Sequence, residues 1–287
     1  MVGDGLLLTA SAIAQHLRLH PRDALAADSC GMNALHHLSF NTTVEGDLLS
    51  AILDVAPAAA SSVDIWSHCA LHWLCENEEV NAECLGILIA ADAEAATMQD
   101  EHGNTPLHAL CRNPSVSLSV LAVFVDTAPL AVPIVNASGS SALHLLAANE
   151  SVRIGNRAGI ISKLALVAPQ CASAKDQVGS TPVHGLCSNM SVTPDSLRAL
   201  IDVAPEAALV VTMWGATPLH MLCENSSVSV SLLSAFAASA PMALTVCVVW
   251  RCAIVREEGE RGECACTCTR GAGWVRGLAA AGHHIHT

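Results

Sequence analysis

Apolar residues in the segment 100–129 follow the spacing of two short helices. Leu107, Leu110 and Cys111 are spaced i, i+3, i+4, which places their side chains on one face of a first helix. A second set begins with the same spacing and consists of Leu121, Phe124, Val125 and Ala128. Pro129 follows this set directly and ends the second helix, because proline cannot continue a helix interior. The pattern predicts a unit of turn, helix, helix and stop.

The residues that flank the first apolar stripe fit helix boundaries. Asp100 and Gly103 are turn residues, and glycine adopts backbone angles that other residues resist. Thr105 offers an N-cap, and Pro106 suits the first helical position because its missing N–H would have no partner there. Asn113 lies where the first helix should end, and asparagine tolerates the left-handed conformation that closes many helices. A first helix is therefore predicted between Thr105 and Asn113.

The unit recurs along the chain around one column of histidines. These are His36, His72, His108, His144, His184 and His220. Four of the five intervals between them are 36 residues long and one is 40. Leucine follows each histidine after two residues, asparagine after five and valine after eight. Because a period of this size is typical of a solenoid whose units pack on their neighbours, we predict an all-α helix-turn-helix solenoid.

The residues around these histidines resemble the ankyrin repeat. The resemblance is carried by GNTPLHAL (103–110), GSTPVHGL (179–186) and GATPLHML (215–222), with degenerate copies at 31–38, 67–74 and 139–146. It covers residues 6–245 as a 36-residue TPLHxLCxN type, longer than the usual unit of about 33 residues. It implies short turn or β-finger connections, and histidines that join each Thr-Pro-Leu-His segment to its neighbour by hydrogen bonds. It also implies a protein that binds other proteins and is not an enzyme.

The repeat pattern divides the chain into three regions. Residues 1–21 match the second helix of a partial repeat, residues 22–245 hold an array of about six repeats, and residues 246–287 form a tail outside the pattern. We expect this tail to be disordered or to come from a gene model that reads out of frame. A fragment of a longer array is the other interpretation of these ends.

One interval is longer than the others because of an insertion after the fourth histidine. The segment RIGNRAGI (153–160) has four more residues than its counterparts and includes Gly155 and Gly159. Long loops on a protein surface cost little free energy. We therefore predict a lengthened loop between the two helices, which presents Arg153 and Arg157 on an otherwise acidic chain.

The composition narrows the classes of partner. The formal net charge of −13 argues against nucleic acid, because phosphate binding needs concentrated lysine and arginine. An acidic array favours basic partners, although a merely solvated acidic surface has the same composition. No apolar run reaches the roughly 18 residues that span a bilayer, and the N-terminal segment lacks the basic region of a signal peptide. The recurring cysteines lie too far apart for disulfides, which favours a reducing cytoplasmic or nuclear location.

Four His-x-x-Cys pairs raise the question of a metal site or a catalytic thiol. They are His72 with Cys75, His108 with Cys111, His184 with Cys187 and His220 with Cys223. Zinc needs four donors within about 2.3 Å, whereas each repeat offers two and the next pair lies a helix-packing distance away. Ser39 and Ala147 occupy the cysteine column in two other repeats. We therefore predict structural histidines and buried cysteines, without enzyme activity, cofactor or metal in the array.

Candidate partner-binding residues lie at turn tips and four residues after each histidine, where the repeat does not fix the residue type. They are Ile65, Trp66, Glu76, Glu101, His102, Arg112, Met213, Trp214 and Glu224. The ankyrin resemblance implies that such positions form a concave recognition face. Trp66 and Trp214 fit interface anchors, because aromatic residues dominate many binding hot spots. Packing against a neighbouring turn is an equal alternative for each of them.

The leading hypothesis is a monomeric, non-enzymatic array that acts as a protein-interaction scaffold. One alternative makes these residues the targeting segment of a larger enzyme, channel or ubiquitin-ligase component. A second alternative is metal binding by the tail, which carries Cys264, Cys266, Cys268, His283, His284 and His286. The fold alone does not identify the partner.

Overall fold

Two layers of α-helices run along the molecule in this computed structural model, which describes residues 10–43, 45–151 and 154–244. The first helices of successive repeats stack on one another and are α2 (Ala34–Phe40), α4 (Ala70–Glu76), α6 (Pro106–Arg112), α8 (Ala142–Ala148), α11 (Pro182–Ser188) and α13 (Pro218–Glu224). The second helices form the other layer and are α1 (Ala10–Leu19), α3 (Gly46–Val55), α5 (Ala82–Ala91), α7 (Leu118–Thr127), α9 (Ile154–Val167), α12 (Pro194–Ile201) and α14 (Val230–Ser239). Short helical turns follow most second helices, at Pro21–Leu25, Pro57–Ala59, Glu94–Thr97, Pro129–Ala131, Pro205–Leu209 and, as α10, at Gln170–Ser173.

The helix boundaries of the third repeat match the prediction with one exception. α6 begins at Pro106 with Thr105 as its N-cap, and α7 ends at Thr127, two residues before Pro129. The prediction for Asn113 is wrong, because its backbone is extended, with φ −65° and ψ 126°, and not left-handed. Its N–H still donates to carbonyls in the last turn of α6. The extended backbone directs the chain away from the helix, and the side chain has another role described below.

A continuous apolar core lies between the two layers. Leu107, Leu110 and Cys111 of α6 are fully buried, as are Leu121 and Phe124 of α7. Most of the corresponding side chains of the other repeats belong to the same cluster. Full burial of a Leu or Phe side chain contributes about 1.5–3 kcal/mol. Hydrophobic contact between neighbouring repeats therefore holds the array together.

Each repeat begins with a turn that contains one residue in the left-handed region. These residues are Gly31, Ser67, Gly103, Gly139, Gly179 and Gly215, with φ between 63° and 78°. At Gly103 a Cβ atom would lie 2.7 Å from the backbone nitrogen of Ala137 in the next turn, so a side chain does not fit. The Ala137 N–H donates to the His102 carbonyl at 2.9 Å, and four similar backbone bonds join the tips of the other turns. The turn tips thus form a connected row along one edge of the molecule.

The all-α prediction is confirmed for the part of the chain that the structure describes. The β pairing found there is an isolated bridge between Val135 and Ser141. The connections between repeats are therefore turns and not β-fingers. Among the described helices, none has both the length and the apolar character that a membrane-spanning segment requires.

The insertion in the fourth repeat lengthens a helix, and the predicted surface loop is wrong. α9 has fourteen residues, whereas α7 in the preceding repeat has ten, so the extra residues add about one helical turn. Arg157 is fully buried. Its guanidinium donates hydrogen bonds to the carbonyls of Asn149 at 2.6 Å and Ser191 at 2.7 Å. Charged hydrogen bonds to these carbonyls explain how an arginine is accommodated inside. The predicted position of Arg153 lies outside the described residues.

Candidate protein-binding face

A histidine links each repeat to the next, and His108 shows the geometry. Its Nδ1 accepts hydrogen bonds from the Thr105 backbone N–H at 3.1 Å and hydroxyl at 2.9 Å, which closes a capping box at the start of α6. Its Nε2 lies 3.0 Å from the Ser140 carbonyl oxygen in the following turn. Because a carbonyl only accepts, Nε2 carries the ring proton. The same bond to the next repeat, at 3.1 to 3.3 Å, is made by His36, His72, His144 and His184.

Burial keeps these rings neutral. It lowers the pKa of His36, His108, His144 and His184 below the ordinary value, and that of His72 to about 4. A protonated ring would place a second N–H at Nδ1, where the N-cap backbone N–H already points. A general acid or base works best with a pKa near the operating pH. The geometry therefore makes these histidines structural links between repeats.

The asparagine column forms a second link between repeats, which the sequence analysis missed. The side-chain amide of Asn113 donates to the carbonyls of Cys75 at 2.9 Å and Asn77 at 2.7 Å in the preceding repeat. Its Oδ1 accepts the Ser115 backbone N–H at 2.8 Å. The same arrangement recurs at Asn77, Asn149, Asn189 and Asn225. The sequence does show that asparagine alone occupies this column. A position needed only to close a helix would also accept glycine, so the exclusive use of asparagine was the signal of a side-chain role.

The cysteines of the His-x-x-Cys pairs are packing residues with one exception. Cys75, Cys111 and Cys187 are fully buried, and burial raises the pKa of each thiol well above its ordinary value. The prediction that Cys223 is buried is wrong, because its side chain is exposed. The reason is its position on α13, which has no following first helix within the described residues.

One thiol and one imidazole lie at the distance expected for a nucleophile and its base. Cys69 Sγ is 3.1 Å from His72 Nδ1, where the first repeat places the Asn33 side-chain oxygen and the later repeats place a threonine or serine hydroxyl. Cys69 is fully buried and burial raises its pKa to about 11, whereas a reactive thiol needs access and a lowered pKa. Within the described ranges no three His, Cys, Asp or Glu side chains come together to hold a metal ion. The cysteines and histidines of the tail, at 264–286, lie outside those ranges.

All nine predicted partner-binding residues are exposed, and they fall into two rows. Ile65, Trp66, Glu101, His102, Met213 and Trp214 lie at turn tips, and Glu76, Arg112 and Glu224 lie in the last turn of a first helix. Trp214 is 69% exposed, whereas Trp66 is 37% exposed because it packs against Trp73. Both rows belong to the turns and first helices. The structure thus places these residues on the turns and first helices but spreads them over several repeats.

An aromatic cluster beside Trp66 was missed by the sequence analysis. The Trp73 ring, on α4, contacts Phe40 with centroids 5.4 Å apart at 90° and Trp66 with centroids 6.2 Å apart at 75°. The His68 ring lies 5.1 Å from Trp73. Phe40 is 61% exposed. The signal lay in the position one residue after His72, which varies in type from repeat to repeat and was not considered.

One carboxylate bonds both tryptophans of this aromatic cluster, one through its indole and the other through its backbone. Asp64 is only 6% exposed, and its Oδ2 accepts the Trp73 indole N–H at 2.9 Å. Its Oδ1 accepts the backbone N–H groups of Trp66 and His68, each at 2.9 Å. The Trp73 indole and the backbone of the turn that carries Trp66 are therefore held in place, and such preorganisation reduces the entropy cost of binding.

Charge is distributed unevenly along the array. Residues 23–111 contain no lysine or arginine. The same segment contains fourteen acidic residues, which are Asp23, Asp28, Glu45, Asp47, Asp54, Asp64, Glu76, Glu78, Glu79, Glu83, Asp92, Glu94, Asp100 and Glu101. The net charge of −13 for the whole chain conceals this segregation. A surface of one sign attracts partners of the opposite sign and speeds their association.

A shallow cleft lies in the other half of the array, between α8 and α11. Ala148, Gly185 and Ser188 leave room there, and Leu145 and Met221 complete a mostly apolar lining. A Cβ atom on Gly185 would make only an ordinary contact with Ala148, 3.5 Å away. Packing therefore does not require glycine at this position, and the cleft is a second surface available for contact.

Solved structures with a similar architecture are ankyrin repeat domains. The domain of human ASB11 matches with a TM-score of 0.57 and 17% sequence identity, over 79% of this chain and 96% of that chain. The domain of Bcl-3, described as a unique member of the IkappaB protein family, matches with a TM-score of 0.52 and 18% identity, over 76% of this chain and 95% of that chain. No protein-family model and no curated protein matches the sequence. Together with the two stacked helical layers, these likenesses show that the chain has the ankyrin repeat fold.

Proposed function

We propose that the array binds a protein partner through a variable face made of the turn tips and the exposed last turns of the first helices. The observation that carries this proposal is the contrast between columns of the repeat. The position four residues after each histidine is exposed in all six repeats and differs among them: Phe40, Glu76, Arg112, Ala148, Ser188 and Glu224. The side chains of the histidine and asparagine columns are instead buried or form hydrogen bonds between repeats, except near the two ends of the array, where some of them are less buried. Residues that vary at exposed, rigidly held positions suit recognition of a partner.

The same features support a scaffold and not an enzyme. The inter-repeat histidines and the buried thiols are occupied by structural bonds or apolar packing, so none of these groups is an activated nucleophile. The acidic surface opposes nucleic acid binding, and the buried thiols suit a reducing cytoplasmic or nuclear compartment. We further infer about six repeats over residues 22–245, preceded by a partial repeat over 1–21, in a monomeric array.

Affinity capture with single-residue variants tests the variable face. We expect the tagged wild-type chain to retain a partner that Trp66→Ala and Trp214→Ala lose, because truncating an aromatic hot spot costs about 2 kcal/mol or more, roughly 30-fold in affinity. Leu166→Ala is the matched control, since Leu166 is 74% exposed but belongs to α9 in the other layer. Identical sets of captured proteins for all four chains would reject this face.

A further inference from the structure

The aromatic residues of this protein are few, and their placement is uneven. The chain has five tryptophans, three phenylalanines and no tyrosine. Phe124 and Phe236 are fully buried in the core, as expected for large apolar side chains. Phe40, Trp66 and Trp73 instead meet in one cluster that includes two exposed members. Core packing therefore does not account for this cluster.

The ring geometry of the cluster suits a cation. The Trp73 ring meets those of Phe40 and Trp66 at 90° and 75°. In such edge-to-face contacts, the ring that presents its edge does not have its faces covered by the other ring. A cation is attracted to the face of an indole within about 6 Å of the ring centroid. The Asp64 carboxylate accepts the Trp73 indole N–H, which places negative charge against that ring and favours a cation further.

The charge around the cluster also favours binding of a cation. The cluster lies inside the segment 23–111, where every Lys and Arg is missing and fourteen carboxylates are present. Glu76 is exposed on α4 three residues after Trp73, so the two side chains are neighbours on the helix surface. A planar guanidinium can stack on an indole and hydrogen-bond a carboxylate with the same group, whereas a lysine ammonium acts as a compact, strongly hydrated charge.

We propose that the cluster of Phe40, Trp66 and Trp73 binds an arginine side chain in a basic segment of the protein partner, with Glu76 as the paired carboxylate. This inference rests on the proposed function, because the cluster is part of the variable face. It adds the chemistry of the partner at the acidic end of the array.

Titration of the full-length protein with short blocked peptides tests this inference. The probes are a peptide of alternating glycine and arginine, its lysine counterpart, and its citrulline counterpart, which keeps the shape of arginine without the charge. We expect the arginine peptide to bind more tightly than both others in calorimetry. Trp73→Leu and Phe40→Leu should each weaken it by roughly 3- to 30-fold, the range of a cation–aromatic contact. Glu76→Gln should weaken it mainly at low salt, because surface charge pairs are screened.

Leu166→Ala is the control, since Leu166 is 74% exposed on α9 in the other layer and outside the acidic segment, and its affinity for the peptide should equal that of wild type. Circular dichroism checks whether Trp73→Leu is folded. The Phe40→Leu and Glu76→Gln variants, at exposed positions, test the site independently of Trp73→Leu. Equal affinity for the arginine and citrulline peptides, or unchanged affinity in Phe40→Leu and Trp73→Leu, would overturn the inference. If capture of a partner is still lost with Trp66→Ala and Trp214→Ala, the proposed function stands although the arginine site falls.

Discussion

Lowering the pH from 7 to 5 is expected to destabilise the protein through its buried histidines. Burial lowers the pKa of His72 to about 4 in the folded protein, whereas the ordinary value of 6.5 applies to the unfolded chain. Between these two values the unfolded chain binds more protons than the folded one, so the free energy of unfolding falls as the pH falls. At pH 5 the loss amounts to about 2 kcal/mol for His72 alone.

The other inter-repeat histidines act in the same direction. Burial lowers the pKa of each of His36, His108, His144 and His184, so the stability that depends on their neutral rings is complete above about pH 6.5 and is lost below it. A hydrogen bond from the Met32 amide lowers the pKa of the Asp28 carboxyl below 3.8, and its contribution disappears only in stronger acid. Because domains are stable by only about 5–15 kcal/mol, several such losses are a large fraction of the total.

Urea titrations followed by circular dichroism at pH 7 and pH 5 measure this effect. We expect the wild-type chain to lose stability between the two pH values. His72→Gln should be less stable at pH 7, but its loss between pH 7 and pH 5 should be smaller by about 2 kcal/mol, because the titrating ring is gone. His102→Gln, at an exposed turn tip, serves as the control for replacing a histidine and should change the free energy of unfolding at pH 7 by less than about 0.5 kcal/mol. The reasoning is refuted if His72→Gln and wild type lose the same free energy between pH 7 and pH 5.

The remaining predictions use the same urea titration at pH 7. Asn113→Ala should cost about 2–4 kcal/mol because two carbonyls of the preceding repeat lose their donor, whereas Asn41→Ala should cost less than about 1 kcal/mol because the Asn41 bonds that the structure shows are local and exposed. Gly103→Ala should destabilise by about 2 kcal/mol or more through its φ of +75° and the close backbone of the next turn. Gly86→Ala, in α5, should instead stabilise by about 0.5–1 kcal/mol, because its Cβ would make only an ordinary contact with Val123, 3.9 Å away. Arg157→Leu should cost about 2–4 kcal/mol, because buried carbonyls lose a charged donor; an unchanged midpoint would show that Arg157 is not committed to them.

The repeat itself was predictable because its signals are local and occur six times. Thr105, Pro106 and the stripe of Leu107 and Leu110 mark the start and the buried face of one helix by rules that apply within a single turn. Recurrence of the same residues at a fixed interval then requires stacking, because one unit alone cannot bury its apolar face. The fold class followed from these two facts.

The insertion in the fourth repeat shows the limit of prediction from local sequence preferences. RIGNRAGI contains two glycines, which lower helix propensity by about 1 kcal/mol each relative to alanine. This local preference favoured a loop. The structure has a helix there because Ile160 and Ile161 are fully buried in the core and Arg157 reaches carbonyls in two neighbouring segments. Such tertiary contacts outweigh propensity, and they cannot be read from one sequence position at a time.

The candidate site was predictable only in part, for a related reason. Exposure of the turn tips at Trp66 and Trp214 followed from the register of the repeat. The Trp73 contacts did not, because they join residues on two helices and a turn, Phe40, Trp66 and Asp64, whose approach depends on how the repeats stack. The absence of Lys and Arg from residues 23–111 was visible in the sequence, but a net charge for the whole chain conceals it.

The two polar links between repeats explain why function can be carried by the remaining positions. His108 and Asn113 bind backbone carbonyls of the following and preceding repeats, so neither bond depends on the side chains of those repeats. Stacking is therefore fixed by two columns and the apolar stripe, whatever residue lies four positions after the histidine. A change at Phe40, Glu76 or Arg112 can alter the variable face without disturbing the array, since these side chains are exposed. Under the proposed function, the columns that do not repeat select the partner, and substitutions there should change binding while leaving the free energy of unfolding within about 0.5 kcal/mol of wild type.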